Sequence, residues 1–266
     1  MIINVNNYPY QVYLTKNNDE NQKWLLLHGF MGSHRDFNPI ISHLPGQVLT
    51  LDLLGFGNNT PLVEVTRFEM THQIQDLAML LDHLHWENIN LLGYSMGGRL
   101  ALGFTTVHGE LVQRLYLEST TAGLKTIQER HERCVSDYKK AEKIQQHFAA
   151  FVTNWEQLPL FATQQHLSQA QKKFMHQQRI NHNPINVANS LRYMGSGVQP
   201  NYWPCLKSLN IPTQVIVGEQ DVKFNLIAEE MVNLLPNAKK SVVPNAGHNT
   251  HFERPTAFIE ALDVSD

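Results

Sequence analysis

Short runs of apolar residues alternate with longer amphipathic stretches through the first 120 residues. The runs at 24–27 and 89–92 are almost continuously apolar, which is typical of strands buried on both faces of a parallel sheet. Between them, apolar residues recur at helical spacing from 70 to 84. This alternation predicts an α/β fold whose mostly parallel central sheet is flanked by helices. The strands predicted in this part are 2–5, 10–14, 24–27, 47–51, 89–93 and 114–118.

The alternation breaks between about residues 124 and 200, where the chain is rich in Gln, His, Lys and Arg. This stretch shows helical patterns and no convincing strand. The elements predicted after it are a strand at 211–218, a helix at 226–235, a strand at 240–244 and a helix that starts at Pro255. We therefore predict a single domain over 1–266, with a helical cap inserted at 122–200 after the sixth strand.

Composition and charge exclude several classes of protein. The 266 residues are 42% hydrophobic, and a chain of this length buries on the order of 70% of its unfolded surface in one core. The net charge of −3, without a run of Lys or Arg, argues against a nucleic-acid partner and a membrane surface. The first residues lack the basic and then apolar pattern of a signal peptide. We predict a cytoplasmic protein, and the sequence indicates no oligomeric state.

Metal and cofactor signals are weak. Cys134 and Cys205 form neither a disulfide framework nor a metal-ligand pattern. His248 and His251 have the spacing of a metal-binding pair, but no third ligand is apparent. No phosphate-binding loop is present in the sequence. We therefore predict no cofactor and no metal.

The most informative chemical signal is a Gly-x-Ser-x-Gly segment at 93–97, between a predicted strand and a predicted helix. Glycines at the flanking positions allow a tight turn that leaves Ser95 exposed at the edge of the sheet. The N–H of Met96, at the start of the helix, then points to where a negatively charged oxygen would sit. The turn at 28–33 is expected to supply a second such donor, the N–H of Phe30. Ordinary glycine turns are the alternative interpretation of both segments.

Two later residues complete a candidate catalytic set. Asp221 follows the predicted strand at 211–218, and His248 follows the last predicted strand. The order Ser95, Asp221, His248 is the chain order of nucleophile, acid and base on such a sheet. Glu118, at the end of the sixth strand, is the alternative acid. We expect His28 to be a structural histidine bonded to nearby backbone.

With these motifs in place, the sequence resembles the α/β-hydrolase superfamily over nearly its full length. Within it, the chain resembles the family of 2-succinyl-6-hydroxy-2,4-cyclohexadiene-1-carboxylate synthases. The catalytic motifs are shared by many esterases, whereas the 218–224 segment and the arginines of the predicted cap are more particular. One departure is Phe252, where Arg is common in this family. The segments that carry the resemblance are 93–99, 129–133, 136–137, Trp155, Pro159, Phe161, Arg179, 218–224, 246–249 and 254–255.

The resemblance implies a lyase, which expels pyruvate from 2-succinyl-5-enolpyruvyl-6-hydroxy-3-cyclohexene-1-carboxylate by a 2,5-elimination. The partner is then a small-molecule tricarboxylate, and guanidinium groups suit buried carboxylates better than ammonium groups do. Arg99 lies one helical turn beyond Ser95, so it is expected to face the same cavity. Arg130 and Arg133, spaced i and i+3, are expected to share a face of the first cap helix, and Arg179 adds a fourth cation. Any one of these alone would more commonly be a surface arginine.

The same resemblance places three aromatic residues, Tyr94, Trp155 and Phe161, in the lining of the pocket. The alternative for each of them is packing in the core or in the cap.

The mechanism expected from these residues uses Ser95 as a base. His248, oriented by Asp221, keeps the serine ready to accept a ring proton, and the amides of Phe30 and Met96 hold the enolate oxygen. Two alternatives remain open: a carboxylester or thioester hydrolase with a covalent acyl-enzyme, and a non-catalytic ligand receptor on a hydrolase scaffold. Turnover of a short ester with a burst indicates the hydrolase. Binding without chemistry, unchanged by Ser95→Ala, indicates the receptor.

Overall fold

The part of the chain described by the computed structural model consists of residues 1–18, 22–58 and 60–264. The other residues of the predicted domain, 19–21, 59 and 265–266, lie outside this description.

Eight strands form one sheet with the spatial order β1-β2-β4-β3-β5-β6-β7-β8. Strand β2 pairs antiparallel with β1 and β4, and the other neighbours are parallel, which confirms the predicted mostly parallel sheet. The strands are β1 (Ile2–Val5), β2 (Tyr8–Lys16), β3 (Lys23–Leu27), β4 (Gln47–Leu51), β5 (Ile89–Tyr94), β6 (Val112–Glu118), β7 (Thr213–Gly218) and β8 (Ala238–Val243).

Most of the α-helices lie between these strands, and the last two follow β8. The α-helices are α1 (Asn38–Ile41), α2 (Met70–Leu84), α3 (Met96–Val107), α4 (Ile127–Gln146), α5 (Phe148–Glu156), α6 (Gln169–Ile180), α7 (Pro184–Met194), α8 (Val222–Leu234), α9 (Thr250–Glu253) and α10 (Pro255–Ala261). Helices α4 to α7, together with a 3-10 helix at Pro159–His166, lie between β6 and β7 and are called the cap segment below. Among the described helices, none has the length and apolar character needed to span a bilayer.

The sheet is buried on both faces. Successive side chains of a strand point to opposite sides, so a central strand places its side chains in two hydrophobic clusters. In β3, Leu25 and Leu27 belong to one hydrophobic cluster, whereas Trp24 and Leu26 belong to the cluster on the other face. All four side chains are fully buried. This arrangement explains why the strand is apolar at every position except its first.

Several elements extend beyond their predicted ranges, and the largest differences are in β2 and α8. Strand β2 extends to Lys16, because it pairs with β4 as far as that residue. Helix α8 begins at Val222 instead of residue 226, because the Asp221 side chain caps it by accepting the N–H of Phe224.

The parallel strands end at a common edge of the sheet, and the candidate site residues follow four of them. Phe30 lies in the turn after β3, and Ser95 directly follows β5. Asp221 lies between β7 and α8, and His248 lies between β8 and α9. Ligands of open α/β sheets bind at this edge, beyond the carboxyl ends of the strands.

Candidate active site

Ser95 lies in a strained turn between β5 and α3. Its backbone has a φ of 51° and a ψ of −105°, a region that non-glycine residues rarely adopt. The turn is held because the Ser95 N–H donates to the carbonyl of Glu118 at 2.8 Å and the Thr120 hydroxyl donates to the carbonyl of Ser95 at 2.7 Å. These bonds present the serine side chain at the edge of the sheet, as expected for a nucleophile turn.

The glycines on either side of this turn allow close backbone contact. A Cβ atom on Gly93 would lie 2.4 Å from the carbonyl oxygen of Gly97. A Cβ atom on Gly97 would lie only 2.1 Å from the carbonyl oxygen of Leu27 in β3. Helix α3 therefore approaches β3 more closely than any residue with a side chain would permit.

The structure brings Ser95, His248 and Asp221 together in one hydrogen-bonded chain. The distance from the Ser95 Oγ to the His248 Nε2 is 3.0 Å, and the distance from the His248 Nδ1 to the Asp221 Oδ2 is 2.7 Å. A carboxylate only accepts hydrogen bonds, so Nδ1 donates to it and a neutral Nε2 accepts from the serine hydroxyl. Both His248 and Asp221 are buried. The arrangement can move a proton to and from the serine oxygen.

Three aromatic rings surround the His248 imidazole. The centroid of the Phe224 ring lies 4.6 Å from that of the imidazole, the Tyr94 ring 5.4 Å and the Phe161 ring 6.1 Å. Such rings exclude water from the imidazole, and a drier surrounding strengthens its bond to Asp221.

The two predicted oxyanion donors lie in the same cavity as Ser95. Met96 is the first residue of α3, so its N–H has no partner within the helix. Phe30 lies in a tight turn that is closed by a bond from the N–H of Gly32 to the carbonyl of Gly29 at 3.0 Å. The oxyanion role of both amides stays a prediction.

The cavity beside Ser95 has a volume of about 740 Å³ and is lined by residues from the sheet edge and from the cap segment. Tyr94, Trp155 and Phe161 are among its lining residues, and their role in substrate binding stays a prediction. Basic residues outnumber acidic ones among its described lining residues. The basic ones are Arg99, Arg133, Lys140, Arg179 and Lys223, and the acidic ones are Asp36 and Asp221.

Arg99 reaches the cavity from the first turn of α3. Its Nη1 donates to the carbonyl of Met194 at 2.8 Å and to the Oε1 of Gln199 at 2.6 Å. Burial, together with the nearby charge of Arg133, lowers the pKa of Arg99 to about 10. The guanidinium is therefore still charged at neutral pH.

Arg133 and Lys140 are held by one buried carboxylate. The Arg133 Nε lies 2.8 and 2.7 Å from the two oxygens of Asp137, whose side chain is only 3% exposed. The Lys140 Nζ lies 3.5 Å from the same carboxylate and donates to the Ser136 hydroxyl at 3.0 Å. Two cations share one anion here, so this part of the cavity keeps a net positive charge.

Arg179 contributes a cation that is already paired. Its Nη1 donates to the Oε1 of Glu156 at 3.0 Å and its Nη2 to the Oε1 of Gln164 at 3.4 Å. The guanidinium carbon lies 5.6 Å from the centroid of the Phe161 ring. Arg179 is thus buried, oriented and close to the rings around His248.

Arg130 is the one predicted binding residue that is not among the described lining residues of the cavity. Its Nε donates to the carbonyl of Gly197 at 3.2 Å. Gly197 packs against α4 so closely that a Cβ atom on it would lie 2.8 Å from the N of Cys134. Because the 3.6-residue period leaves positions i and i+3 offset, this packing holds Arg130 away from the cavity while Arg133 reaches it. The structure thus places Arg133 at the cavity and Arg130 beside Gly197, and the binding role predicted for Arg130 has no support from these contacts.

Several contributors to the site were not identified from the sequence, among them Lys140, Lys223 and Phe224. Lys140 follows Arg133 by seven residues on helix α4, and residues at this spacing lie on the same face of a helix. This spacing could have indicated that Lys140 also faces the cavity. Phe224 lies three residues after Asp221, in the first turn of α8, so it was placed to meet His248.

The structure places Asp221, and not the alternative acid Glu118, in hydrogen-bond contact with His248. The Glu118 carboxylate accepts from the Thr250 hydroxyl at 2.6 Å and lies 2.6 Å from the Nδ1 of His251. His251 is thereby engaged with a carboxylate. Within the described residues, no group of three or more His, Cys, Asp or Glu side chains is arranged to hold a metal ion.

His28 has the structural role expected for it. Its Nε2 accepts the N–H of Leu53 at 2.9 Å, and its Nδ1 donates to the carbonyl of Gly29 at 2.7 Å. Burial lowers the pKa of His28 to about 4, so the imidazole is neutral at neutral pH.

Comparison with known proteins agrees with this geometry. Residues 25–255 match a family model described as the alpha/beta hydrolase fold. A Bacillus subtilis (strain 168) protein with the provisional name 2-succinyl-6-hydroxy-2,4-cyclohexadiene-1-carboxylate synthase is 41% identical over 234 residues, which span 87% of this chain and 85% of that protein. A Serratia proteamaculans protein named as the same synthase is 30% identical over 250 residues, which span 92% of this chain and 93% of that protein.

Solved structures agree as well. The structure of MenH from S. aureus superposes with a TM-score of 0.87 at 35% identity, over 94% of this chain and 95% of that one. The chain therefore belongs to the α/β-hydrolase fold family and, within it, to the family of 2-succinyl-6-hydroxy-2,4-cyclohexadiene-1-carboxylate synthases.

Proposed function

We propose that this protein is a carbon–oxygen lyase of quinone biosynthesis. It eliminates pyruvate from 2-succinyl-5-enolpyruvyl-6-hydroxy-3-cyclohexene-1-carboxylate to give 2-succinyl-6-hydroxy-2,4-cyclohexadiene-1-carboxylate. The observation that carries the proposal is that the Ser95 hydroxyl, bonded to His248, opens onto a cavity whose charged lining is mostly basic. A tricarboxylate needs such a lining, whereas a neutral ester does not.

Ser95 acts as the base in the proposed elimination. As His248 takes the hydroxyl proton, the serine oxygen accepts the proton from the ring carbon next to the succinyl ketone. The electrons of that C–H bond move through the ring double bond, and the C–O bond to the enolpyruvyl group breaks. Asp221 stabilises the imidazolium formed on His248, which then returns a proton to the departing pyruvate.

The amides of Phe30 and Met96 stabilise the enolate oxygen that develops on the succinyl ketone. Both residues line the cavity beside Ser95. A preorganised donor of this kind contributes roughly 3–4 kcal/mol to the transition state. No covalent intermediate on Ser95 is required.

The basic residues of the cavity bind the three carboxylates in this proposal. Arg99, Arg133 and Lys140 form its more positive part, because within the described residues Asp137 is the one carboxylate paired with them. Arg179 is balanced by Glu156, so it orients a carboxylate more than it attracts one. We also propose that the cap segment acts as a lid over this cavity, and that the protein works in the cytoplasm without nucleic-acid or membrane partners.

The proposed function is tested by feeding the enolpyruvyl compound to the protein and coupling pyruvate release to lactate dehydrogenase. We expect saturable pyruvate release, together with slow turnover of p-nitrophenyl acetate that shows no burst. Brisk ester turnover with a burst and no pyruvate would establish the hydrolase instead. Binding of the compound without release of pyruvate would establish a receptor.

Arg133 and Arg130 offer a matched pair of variants on one helix. Arg133→Met is expected to lower kcat/KM about ten- to a hundredfold, because a hydrogen bond to a charged group contributes about 1.5–3 kcal/mol. Arg130→Met is expected to stay within about twofold of the wild type, since Arg130 contacts Gly197 and does not line the cavity. Steady-state kinetics with the pyruvate assay measures both. Equal losses in the two variants would contradict the assignment of Arg133.

A further inference from the structure

Glu118 links the segments that carry Ser95 and His248, and it is not among the described lining residues of the cavity. Its main-chain carbonyl accepts the N–H of Ser95 at 2.8 Å. Its carboxylate accepts the Thr250 hydroxyl at 2.6 Å and the His251 N–H at 3.1 Å, and lies 2.6 Å from the His251 Nδ1. Glu118, Thr250 and His251 are each fully buried. One residue therefore binds the serine turn with its backbone and the histidine loop with its side chain.

A second buried carboxylate holds the other side of the same loop. Glu253 accepts the N–H of Gly247 at 2.7 Å and the N–H of Asn249 at 3.2 Å. These two residues flank His248. Glu118 and Glu253 together bind every residue from 247 to 251 except His248, whose side chain is bonded to Ser95 and Asp221.

The charge of Glu118 is compensated inside the protein. Burial alone would raise the pKa of this carboxyl, but the charge and the hydrogen bonds of His251 lower it below its ordinary value. The Tyr94 ring packs against both histidines, with its centroid 5.2 Å from that of His251 and 5.4 Å from that of His248. A shift of His251 would therefore also shift His248, both through the loop that joins them and through the Tyr94 ring.

We propose that Glu118 is a positioning residue that sets the distance between the Ser95 Oγ and the His248 Nε2, with Glu253 holding the loop from the opposite side. The inference rests on the proposed function only in that Ser95 and His248 are the reacting pair. A misplacement of reacting groups by about 1 Å can cost a hundredfold in rate. The buried contacts of Glu118 leave the loop little freedom for such a shift.

The test is Glu118→Gln, which keeps the size of the side chain but removes its charge. Two rates are measured: kcat for pyruvate release, and the rate of sulfonylation of Ser95 by phenylmethylsulfonyl fluoride, which needs no lyase substrate. We expect both to fall about tenfold or more. KM is expected to stay within about twofold, because Glu118 does not line the cavity.

Asp76→Asn is the matched control. Asp76 is also a buried carboxylate, and it accepts from the Tyr10 hydroxyl at 2.6 Å and from the Asn6 amide at 2.8 Å. It lies on α2, which carries neither Ser95 nor His248. This variant is expected to lower the thermal midpoint while both rates stay near those of the wild type. Equal rate losses in the two folded variants would overturn the proposal, as would wild-type rates in Glu118→Gln.

Thr250→Val supplies a milder variant, because it removes only the hydroxyl that donates to Glu118. If Glu118→Gln does not fold, a reduced sulfonylation rate in folded Thr250→Val supports the proposal, and an unchanged rate overturns it. Should the wild type release no pyruvate, the sulfonylation rates still decide the positioning role, and only the proposed function fails.

Discussion

Ser95→Ala is expected to lower kcat for pyruvate release about 10²- to 10⁴-fold, the usual contribution of a positioned proton-transfer group. The loss follows from the 3.0 Å contact with His248, which the methyl group of alanine cannot make. Substrate affinity should be retained, because the basic lining of the cavity is unchanged. Quenching of the fluorescence of Trp155, which lines the cavity, measures that affinity separately from the rate.

The double variant Ser95→Ala/His248→Ala separates a shared role from two independent ones. Groups that act as a unit show strongly non-additive losses, so the double variant should be little slower than Ser95→Ala alone. A wild-type rate in Ser95→Ala would remove the serine from the mechanism. Losses that multiply in the double variant would indicate that the two side chains act on different steps.

Gly97→Ala is expected to lower the free energy of unfolding by about 3 kcal/mol, near the upper end of the usual cost of overpacking. The added methyl would lie 2.1 Å from the carbonyl oxygen of Leu27, so α3 must move away from β3. Alanine is favoured over glycine inside a helix by about 1 kcal/mol, and the clash outweighs this gain. Urea unfolding measures the difference.

Gly109→Ala is the control for that substitution, because the nearest atom to its added methyl is the Ile211 Cδ1 at 3.9 Å. It should change the stability by less than about 0.5 kcal/mol. Similar urea midpoints for Gly97→Ala and Gly109→Ala would show that the close approach of α3 to β3 does not contribute to the stability of the protein.

The central strands could be predicted because burial on both faces of the sheet requires apolar residues along the whole strand. A central parallel strand is buried on both faces, so its apolar run marks it, as in β3 and β5. The start of α8 was missed for a different reason. Val222 and Leu226 are both 70% exposed, so the apolar pattern at that end of the helix does not follow the buried face. Asp221 carries a capping signal in the sequence as well as the position of a catalytic acid, and only the second role is predicted from it.

The order of motifs along the chain placed Ser95, Asp221 and His248, because each follows a strand that ends at the same edge. Contacts between distant segments were not accessible in this way. The position of Arg130 depends on Gly197, which is 67 residues away along the chain. The partners of Glu118 lie 132 and 133 residues away, and nothing in the local pattern distinguishes a catalytic from a positioning carboxylate.

The cap segment leaves the sheet after β6 and returns at β7, and these two strands are hydrogen-bonded neighbours. Its exit and entry points are therefore adjacent, so α4 to α7 can be exchanged for those of another family member without changing the order of the strands. Arg133, Lys140 and Arg179 would be transferred with the insert, whereas Ser95 and its partners would stay behind. We expect a chimera of this kind to keep its reactive machinery and Arg99, and to acquire from the donor the part of the substrate preference that the cap segment sets.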